Sequence, residues 1–292
     1  MLPLCEVRNQ VGESPVWSVA EQALYWVDIE ARRVHRFDWA SQLQRSWAVP
    51  ERIGCIALHA DGGLLAAMET GIFHLLLCTA EDATARLVHP VRFPRDDMRF
   101  NDGRTDRAGR FWVTSMVRDM GLATAAGALY RLDARGLSSP LVEGLITANG
   151  LAFSPDGARL YLSDSHPAVR QIWAFNLDNE GNPSQRREFV DRQLHPGRPD
   201  GAAVDADGGY WTCANDAGMV HRFMPNGELD CSLQVPVSKP AMCAFGGPAL
   251  DRLFITSIRP ARAVEGYDAA FDGAVFVTRP GVRGLAETPF RP

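Results

Sequence analysis

The chain has 292 residues, 46% of them hydrophobic, and a formal net charge of −5 at pH 7. This length suffices for a large core in one big domain or two small ones, and we predict a single domain over residues 1–292. The acidic balance and the lack of a basic run disfavour nucleic acid and anionic membranes as partners. Nothing in the sequence indicates an obligate protein partner.

The N-terminal segment and the cysteines indicate a cytoplasmic protein. Residues 1–15 lack the charged and apolar regions of a signal peptide, and no apolar run is long enough to span a bilayer. The six cysteines form no CxxC pair and no Cys/His cluster with zinc spacing. We interpret them as thiols of a reducing compartment, several of them buried in strands.

Short strand-like runs between Pro and Gly turns recur along the chain, and long helical periodicity is absent. A longer period of roughly 40–50 residues lies over them and suits a four-stranded propeller blade. The six copies begin, in chain order, with ESPVW, GCIAL, NDGRT, NGLAF, DGAAV and AMCAF. The predicted fold is therefore all-β, a six-bladed β-propeller of four-stranded antiparallel blades. A seven-bladed propeller and a pair of β-sandwiches are the alternatives.

The third and sixth copies contain insertions, around residues 117–126 and 259–272. Long loops on such a scaffold often act as lids.

A polar residue recurs at one position of the repeat. When the copies are aligned on the turn after their first strand, the residue five places before that turn is, in order, Glu13, Gly54, Asn101, Asn149, Asp200 and Ala241. A propeller arranges equivalent positions around its axis, so we expect the four polar residues to converge at the channel mouth, just before the innermost strands. Asn and Asp are ordinary turn formers, and a turn cap is the alternative for each alone. Glu13, a poor turn former, and the shared position favour a functional site.

Two carboxylates and carboxamide oxygens would form an oxygen-only site, which suits Ca²⁺, Mg²⁺ or Mn²⁺. Without a metal, Glu13 and Asp200 would repel each other and one would tend to take up a proton. A divalent ion with open positions can polarise a carbonyl and lower the pKa of bound water, while a neighbouring carboxylate acts as general base. Arg99 is either an exposed loop cation or a donor to an oxyanion or hydroxyl.

Motifs along nearly the whole chain resemble those of the SMP-30/gluconolactonase/luciferin-regenerating enzyme family, also called regucalcin-like. They are GESPVW, YWVDI, RFNDGRTDRAGRFW, ANGLAFSPDG, PDGAAVDADGGYW, CAFGG and GAVF, in family order. The resemblance implies a six-bladed propeller with one divalent metal in its channel, with calcium, zinc, manganese and iron(II) all compatible. It implies Glu13, Asn149 and Asp200 as metal ligands, Asp200 as catalytic acid/base, and Arg99 and Asn101 as substrate-binding residues.

One segment departs from the family pattern. In SMVRDM (residues 115–120), Arg118 replaces one of two acids usual in the family, and Asp119 stands where a glutamate is usual. We predict that Asp119 binds substrate, with altered sugar contacts because its side chain is shorter.

The resemblance implies hydrolysis of a sugar lactone to the aldonic acid. We expect a cytoplasmic, metal-dependent lactonase acting on a small-molecule lactone of the gluconolactone, xylonolactone, arabinonolactone or galactonolactone type, with calcium as the metal that the oxygen ligands favour most. One alternative is an organophosphate or aryl-ester hydrolase on the same metal site, which the polar mouth disfavours. The other is a non-catalytic calcium-binding protein, which would rarely need carboxylates at equivalent positions inside the channel.

Overall fold

The computed structural model describes residues 1–191 and 195–292, and these residues form six antiparallel sheets. The first strand of each sheet contacts the first strand of the next, and the sixth contacts the first, so the sheets close into a ring. The predicted six-bladed β-propeller is therefore confirmed, and the seven-bladed and sandwich alternatives are wrong.

Blades 1 to 3 follow a short N-terminal strand, β1 (Leu2–Pro3). Within each blade the strands are numbered from the axis outward. Their strands are β2 (Gly12–Ser18), β3 (Ala23–Asp28), β4 (Arg33–Asp38) and β5 (Gln44–Ala48); β6 (Ile53–Leu58), β7 (Leu64–Met68), β8 (Gly71–Leu76) and β9 (Thr84–Pro90); and β10 (Met98–Thr105), β11 (Phe111–Val117), β12 (Gly127–Asp133), β13 (Gly136–Leu137) and β14 (Val142–Leu145). The outer position of blade 3 is divided, because β13 and β14 both pair with β12.

Blades 4 to 6 repeat the same order. Their strands are β15 (Ala148–Phe153), β16 (Arg159–Asp164), β17 (Gln171–Leu177) and β18 (Pro183–Val190); β19 (Arg198–Val204), β20 (Tyr210–Asn215), β21 (Met219–Phe223) and β22 (Leu229–Gln234); and β23 (Pro240–Gly246), β24 (Arg252–Ser257) and β25 (Phe276–Thr278). The two predicted insertions carry the short 3₁₀ helices Met120–Leu122 and Ala269–Phe271. Within the described part of the chain, no helix has the length and apolar character needed to cross a membrane.

Blade 6 takes its outer strand from the other end of the chain. Strand β1 pairs antiparallel with β25, with Leu2 opposite Val277 and Pro3 opposite Phe276. The buried Asn9 reinforces this closure, since its Nδ2 donates to the Gly273 carbonyl at 2.7 Å. The sequence analysis missed this strand, because two residues are too short to show an alternating pattern.

The hydrophobic core is divided into six clusters, each between two neighbouring blades. For example, one joins Val16 and Tyr25 of blade 1 to Ile53 and Ile56 of blade 2, and the sixth joins blade 6 back to blade 1. Four tryptophans are fully buried in these clusters, namely Trp17, Trp26, Trp112 and Trp211. The apolar side chains therefore pack mainly in the spaces between neighbouring blades.

The C-terminal segment crosses the face at the far ends of the inner strands. It forms single β-bridges that pair Gly284 with Asp205 and Phe290 with His59, so it runs from blade 5 to blade 2. Midway, Glu287 forms an ion pair with Arg104, and both side chains are nearly buried, at 12% and 11% exposed. Since the repeated polar position lies near the beginnings of these strands, the segment covers the opposite end of the channel.

Candidate active site

Every inner strand changes register at the repeated polar position. The shifts lie between Glu13 and Val16, Ile53 and Cys55, Phe100 and Gly103, Asn149 and Ala152, Pro199 and Ala202, and Pro240 and Cys243. Such bulges redirect side chains and are common beside active sites. The expectation that these residues precede the strands is wrong, because they lie inside strands at bulges.

The bulge in blade 4 requires a glycine after Asn149. Gly150 has a φ of 66°, and a Cβ there would lie 2.5 Å from Ser163 Oγ and 2.6 Å from the Tyr210 hydroxyl. In blade 1, Ser14 takes the same left-handed conformation with a φ of 50°. Both positions therefore adopt the left-handed conformation that L-residues rarely take. This bulge conformation sets the direction of the preceding side chain, Asn149 in blade 4 and Glu13 in blade 1.

Three of the predicted residues form one hydrogen-bonded chain. Arg99 Nη1 donates to Asn101 Oδ1 at 2.7 Å, and Asn101 Nδ2 donates to Asn149 Oδ1 at 2.9 Å. Asn149 Nδ2 then donates to Ser165 Oγ at 2.6 Å. Asn149 is thus no turn cap, since both ends of its amide bind side chains beyond its own turn.

Asp164, the last residue of β16, and Ser165, which follows it, have different roles. Asp164 accepts hydrogen bonds from the backbone N–H groups of Ile146 and Thr147 at 2.7 and 3.0 Å. Asp164 therefore stabilises a turn at the end of the strand. Ser165 instead contacts the candidate ligand Asn149.

Asp200 has a partner of its own in blade 5. Asn215 Nδ2 donates to Asp200 Oδ2 at 2.7 Å, and Arg198 Nη2 donates to the other end of that amide, Asn215 Oδ1, at 3.1 Å. Asp200 Oδ1 accepts no hydrogen bond from the described residues. One oxygen of Asp200 is therefore held in place while the other is left for a metal ion or for a proton.

The two candidate carboxylate ligands, Glu13 and Asp200, repel each other when both are charged. Burial raises the pKa of Glu13 well above its usual value, and the charges of Asp200 and Asp102 raise it further. Burial also raises the pKa of Asp200 to about 7, although Arg198 and the Asn215 hydrogen bond act in the opposite direction. The expected conflict between these acids is thus present, and a divalent cation would relieve it.

Asp102 is a buried carboxylate that the sequence analysis missed. Its Oδ2 accepts the Leu151 N–H of the blade 4 bulge at 2.8 Å, while its Oδ1 has no hydrogen-bond partner among the described residues. Burial raises its pKa, and its charge contributes to the raised pKa of Glu13 and of Asp200. The available sequence signal is its position beside Asn101 in RFNDGR.

Asp119 forms no hydrogen bond or ion pair with the other predicted site residues within the described part of the chain. It is exposed at the N-cap of the short helix Met120–Leu122, where its Oδ1 accepts the Gly121 N–H at 2.9 Å. The neighbouring Arg118 binds Glu69 Oε1 of blade 2 at 3.2 Å. None of these contacts joins Asp119 to the chain of Arg99 and Asn101, and its role in substrate binding stays a prediction.

The residues at the repeated position fit a hard divalent cation. Glu13, Asn149 and Asp200 present only oxygen toward such an ion, given the hydrogen bonds that orient the Asn149 amide. The part of the chain that the structure describes holds no group of three or more His, Cys, Asp and Glu side chains able to bind a metal. The proposed set, two carboxylates and a carboxamide, is of a different composition.

Two surface clefts lie away from these residues. One of about 740 Å³ lies between blades 2 and 3 and includes His89 and Pro140. Another of about 570 Å³ lies between blades 4 and 5, around Ser154 and Pro225. Neither is lined by a predicted site residue, so the assignment depends on the shared axis position and not on cavity size.

Residues 11–259 match the family model described as the SMP-30/gluconolactonase/LRE-like region. The chain belongs to this family. A 6-deoxy-6-sulfogluconolactonase of Pseudomonas putida is 40% identical over 294 residues, with 98% of this chain and 97% of that protein covered. The pentonolactonase XacC of Haloferax volcanii is 33% identical, with 97% and 94% covered.

A solved structure of a calcium-binding regucalcin from Agrobacterium tumefaciens superposes with a TM-score of 0.89. It is 27% identical, and the match covers 99% of this chain and 97% of that one. The resemblance inferred from the motifs is confirmed. The curated relatives confirm the prediction of a lactonase, an enzyme that hydrolyses a cyclic ester.

Proposed function

We propose that this protein is a cytoplasmic, metal-dependent lactonase that opens an aldonolactone to the aldonic acid. The observation that carries the proposal is the set of Glu13, Asn149 and Asp200 at equivalent bulges of three blades, beside the donors Arg99 and Asn101. Its sugar-lactonase relatives support the reaction type. Their names differ in substrate, and a regucalcin neighbour described as calcium-binding favours calcium.

Glu13, Asn149 and Asp200 would hold the metal. A bound divalent ion supplies Lewis-acid chemistry, which polarises the lactone carbonyl and acidifies water. Asp200 would also act as the general base that accepts the proton of the attacking water. When the ring C–O bond breaks, the same proton passes to the leaving alkoxide and forms the hydroxyl of the product.

Arg99 and Asn101 supply fixed hydrogen-bond donors. Within the described residues, Arg99 uses only Nη1 as a donor, to the Phe100 carbonyl and Asn101, so its other N–H groups can bind the lactone oxygens. Donors of this kind stabilise the negative charge that develops on the carbonyl oxygen during attack. The amide of Asn101 is oriented from both sides, which keeps Arg99 in position.

Metal-dependent acid release from a panel of lactones tests the proposal. The purified protein is treated with a chelator and assayed with gluconolactone, pentonolactones and 6-deoxy-6-sulfogluconolactone after Ca²⁺, Zn²⁺, Mn²⁺, Mg²⁺ or Fe²⁺ is restored. Asp200→Asn is expected to lower the rate by several orders of magnitude. Asp156→Asn is the matched control, because Asp156 is exposed in the turn after β15 at the other end of the channel.

No metal-dependent rate on any lactone would refute the proposal, as would full activity of Asp200→Asn. An aryl ester and an organophosphate belong in the same panel, because preferential turnover of either would establish the alternative hydrolase. Calcium binding without turnover of any substrate would instead favour the non-catalytic alternative.

A further inference from the structure

We propose that Arg198 is a positioning residue that orients two metal ligands at once, Asp200 through Asn215 and Asn149 through Ser165. The inference rests on the metal site of the proposed function. Arg198 would touch neither the metal nor the lactone. The planar shape of its guanidinium, and not only its charge, would determine how the ligands are oriented toward the ion.

The first branch fixes the amide of Asn215. A guanidinium offers only hydrogen-bond donors and a carboxylate only acceptors. Because Arg198 Nη2 donates to Asn215 Oδ1 at 3.1 Å, the amide must turn its Nδ2 toward Asp200, to which it donates at 2.7 Å. A flipped amide would place donor against donor and oxygen against oxygen. Arg198 therefore determines that Asn215 presents a donor to Asp200, which engages one carboxylate oxygen and leaves the other free.

The second branch reaches the other ligand through the backbone of Ser165. Arg198 Nη1 donates to the Ser165 carbonyl at 3.2 Å, and the Ser165 N–H is bound by the Thr147 carbonyl at 2.9 Å. The Ser165 hydroxyl, held in this way, accepts Asn149 Nδ2 at 2.6 Å. The oxygen of Asn149 is consequently turned to the side where Asn101 and the proposed metal lie.

The guanidinium is anchored from a third direction. Arg198 Nε donates to Asp216 Oδ2 at 2.6 Å, and the other oxygen of Asp216 is paired with Lys239. Each of the three nitrogens of Arg198 thus has a different acceptor, and the side chain is only 17% exposed. Through these contacts, Arg198 at the start of β19 in blade 5 is linked to the end of β16 in blade 4 and to the segment before β23 in blade 6.

A lysine cannot replace this arrangement. Its ammonium is a compact charge on a flexible stem and lacks the planar fork that holds three acceptors in set directions. Losing partners of the ligands typically weakens metal binding by about 10–100-fold, even when the ligands themselves remain. Arg198→Lys keeps the charge near Asp200 and removes the geometry, so it separates orientation from electrostatics.

The test is the affinity of the full chain for Mn²⁺ and Ca²⁺, measured by calorimetry after chelation, together with the melting temperature of the metal-free protein. The matched control is Arg159→Lys. Arg159 also links blades 4 and 5, through the Pro225 carbonyl at 2.7 Å, but it is the first residue of β16, at the opposite end of that strand from Ser165. Arg198→Lys is expected to weaken metal binding about 10–100-fold, while its metal-free melting temperature changes no more than that of the control.

A second variant tests whether Arg198 acts on Asp200 through Asn215. Asn215→Ala should also weaken metal binding, and adding Arg198→Lys to it should cost less than the sum of the two, because both act on Asp200 through one hydrogen-bonded chain. Metal affinity within twofold of the unaltered protein in Arg198→Lys would overturn the inference alone. Absence of metal binding by the unaltered protein would overturn the proposed site, and this inference with it.

Discussion

Asp200→Asn is predicted to stabilise the metal-free protein while it abolishes lactone hydrolysis. The substitution removes one buried negative charge and retains an oxygen that can accept the Asn215 hydrogen bond. Asp200 is only 5% exposed, and its pKa is raised from 3.8 to about 7, mainly by burial. A buried carboxylate without its cation is thus a source of instability that the amide does not share.

The magnitude follows from the pKa shift, and so does its sign. Between pH 4 and pH 7 the folded protein keeps a proton on Asp200 that the unfolded chain has lost, so the stability of the metal-free protein falls as pH rises through this window. A shift of about three units corresponds to roughly 4 kcal/mol above pH 7, and to less than about 2 kcal/mol at pH 5. Asp200→Asn should recover these amounts at most.

Urea unfolding of the chelator-treated protein at pH 5 and pH 8 measures the effect. Asp216→Asn is the control with the opposite sign: burial alone would raise the pKa of Asp216, but hydrogen bonds and charges from Arg198 and Lys239 lower it. That variant should lose stability above pH 4. The reasoning is refuted if Asp200→Asn destabilises the metal-free protein at pH 8, or if its effect is the same at both pH values.

Three further substitutions test other parts of the site and fold. Glu13→Gln is expected to weaken metal binding and to lower the lactonase rate by orders of magnitude, since it removes a charged ligand; unchanged affinity in calorimetry would exclude Glu13 as a ligand. Arg99→Gln should reduce kcat/KM by about 100-fold with metal affinity retained, because it removes a donor to the reacting oxygens; a loss of metal binding instead would contradict a role toward substrate. Glu287→Ala leaves Arg104 nearly buried and unpaired, so urea unfolding should show a loss of about 3–5 kcal/mol; a change below about 1 kcal/mol, as exposed ion pairs give, would show that the pair is effectively solvated.

The repeat made the fold and the polar position readable from sequence. Each blade is built from consecutive hairpins, so most of its contacts are close along the chain and leave a regular period. Glu13, Asn149 and Asp200 fall at equivalent places in that period, and their strands indeed carry bulges at equivalent places. The apolar runs likewise mark the clusters between blades, because inner strands are buried on both faces.

Contacts that do not recur from blade to blade could be found only in the folded structure. Strand β1 closes blade 6 across more than 270 residues of chain, as Leu2 faces Val277. Glu287 reaches Arg104 from a segment outside the repeats. Asp102 had a sequence signal in its neighbour, but nothing in the order of residues shows that its carboxylate turns to the bulge of blade 4.

Asn149 shows which feature of a site residue the sequence determines and which feature only the folded structure decides. Its local sequence is compatible with a turn, and the alignment of the six copies assigns it to the channel axis. Which end of its amide faces the axis depends on Asn101 in blade 3 and on Ser165, itself held by Arg198 in blade 5. An amide has a donor end and an acceptor end of nearly equal size, so only its partners decide its orientation. Asn101 and Arg198 belong to the two neighbouring blades, so blades 3, 4 and 5 must pack together before the amide is oriented.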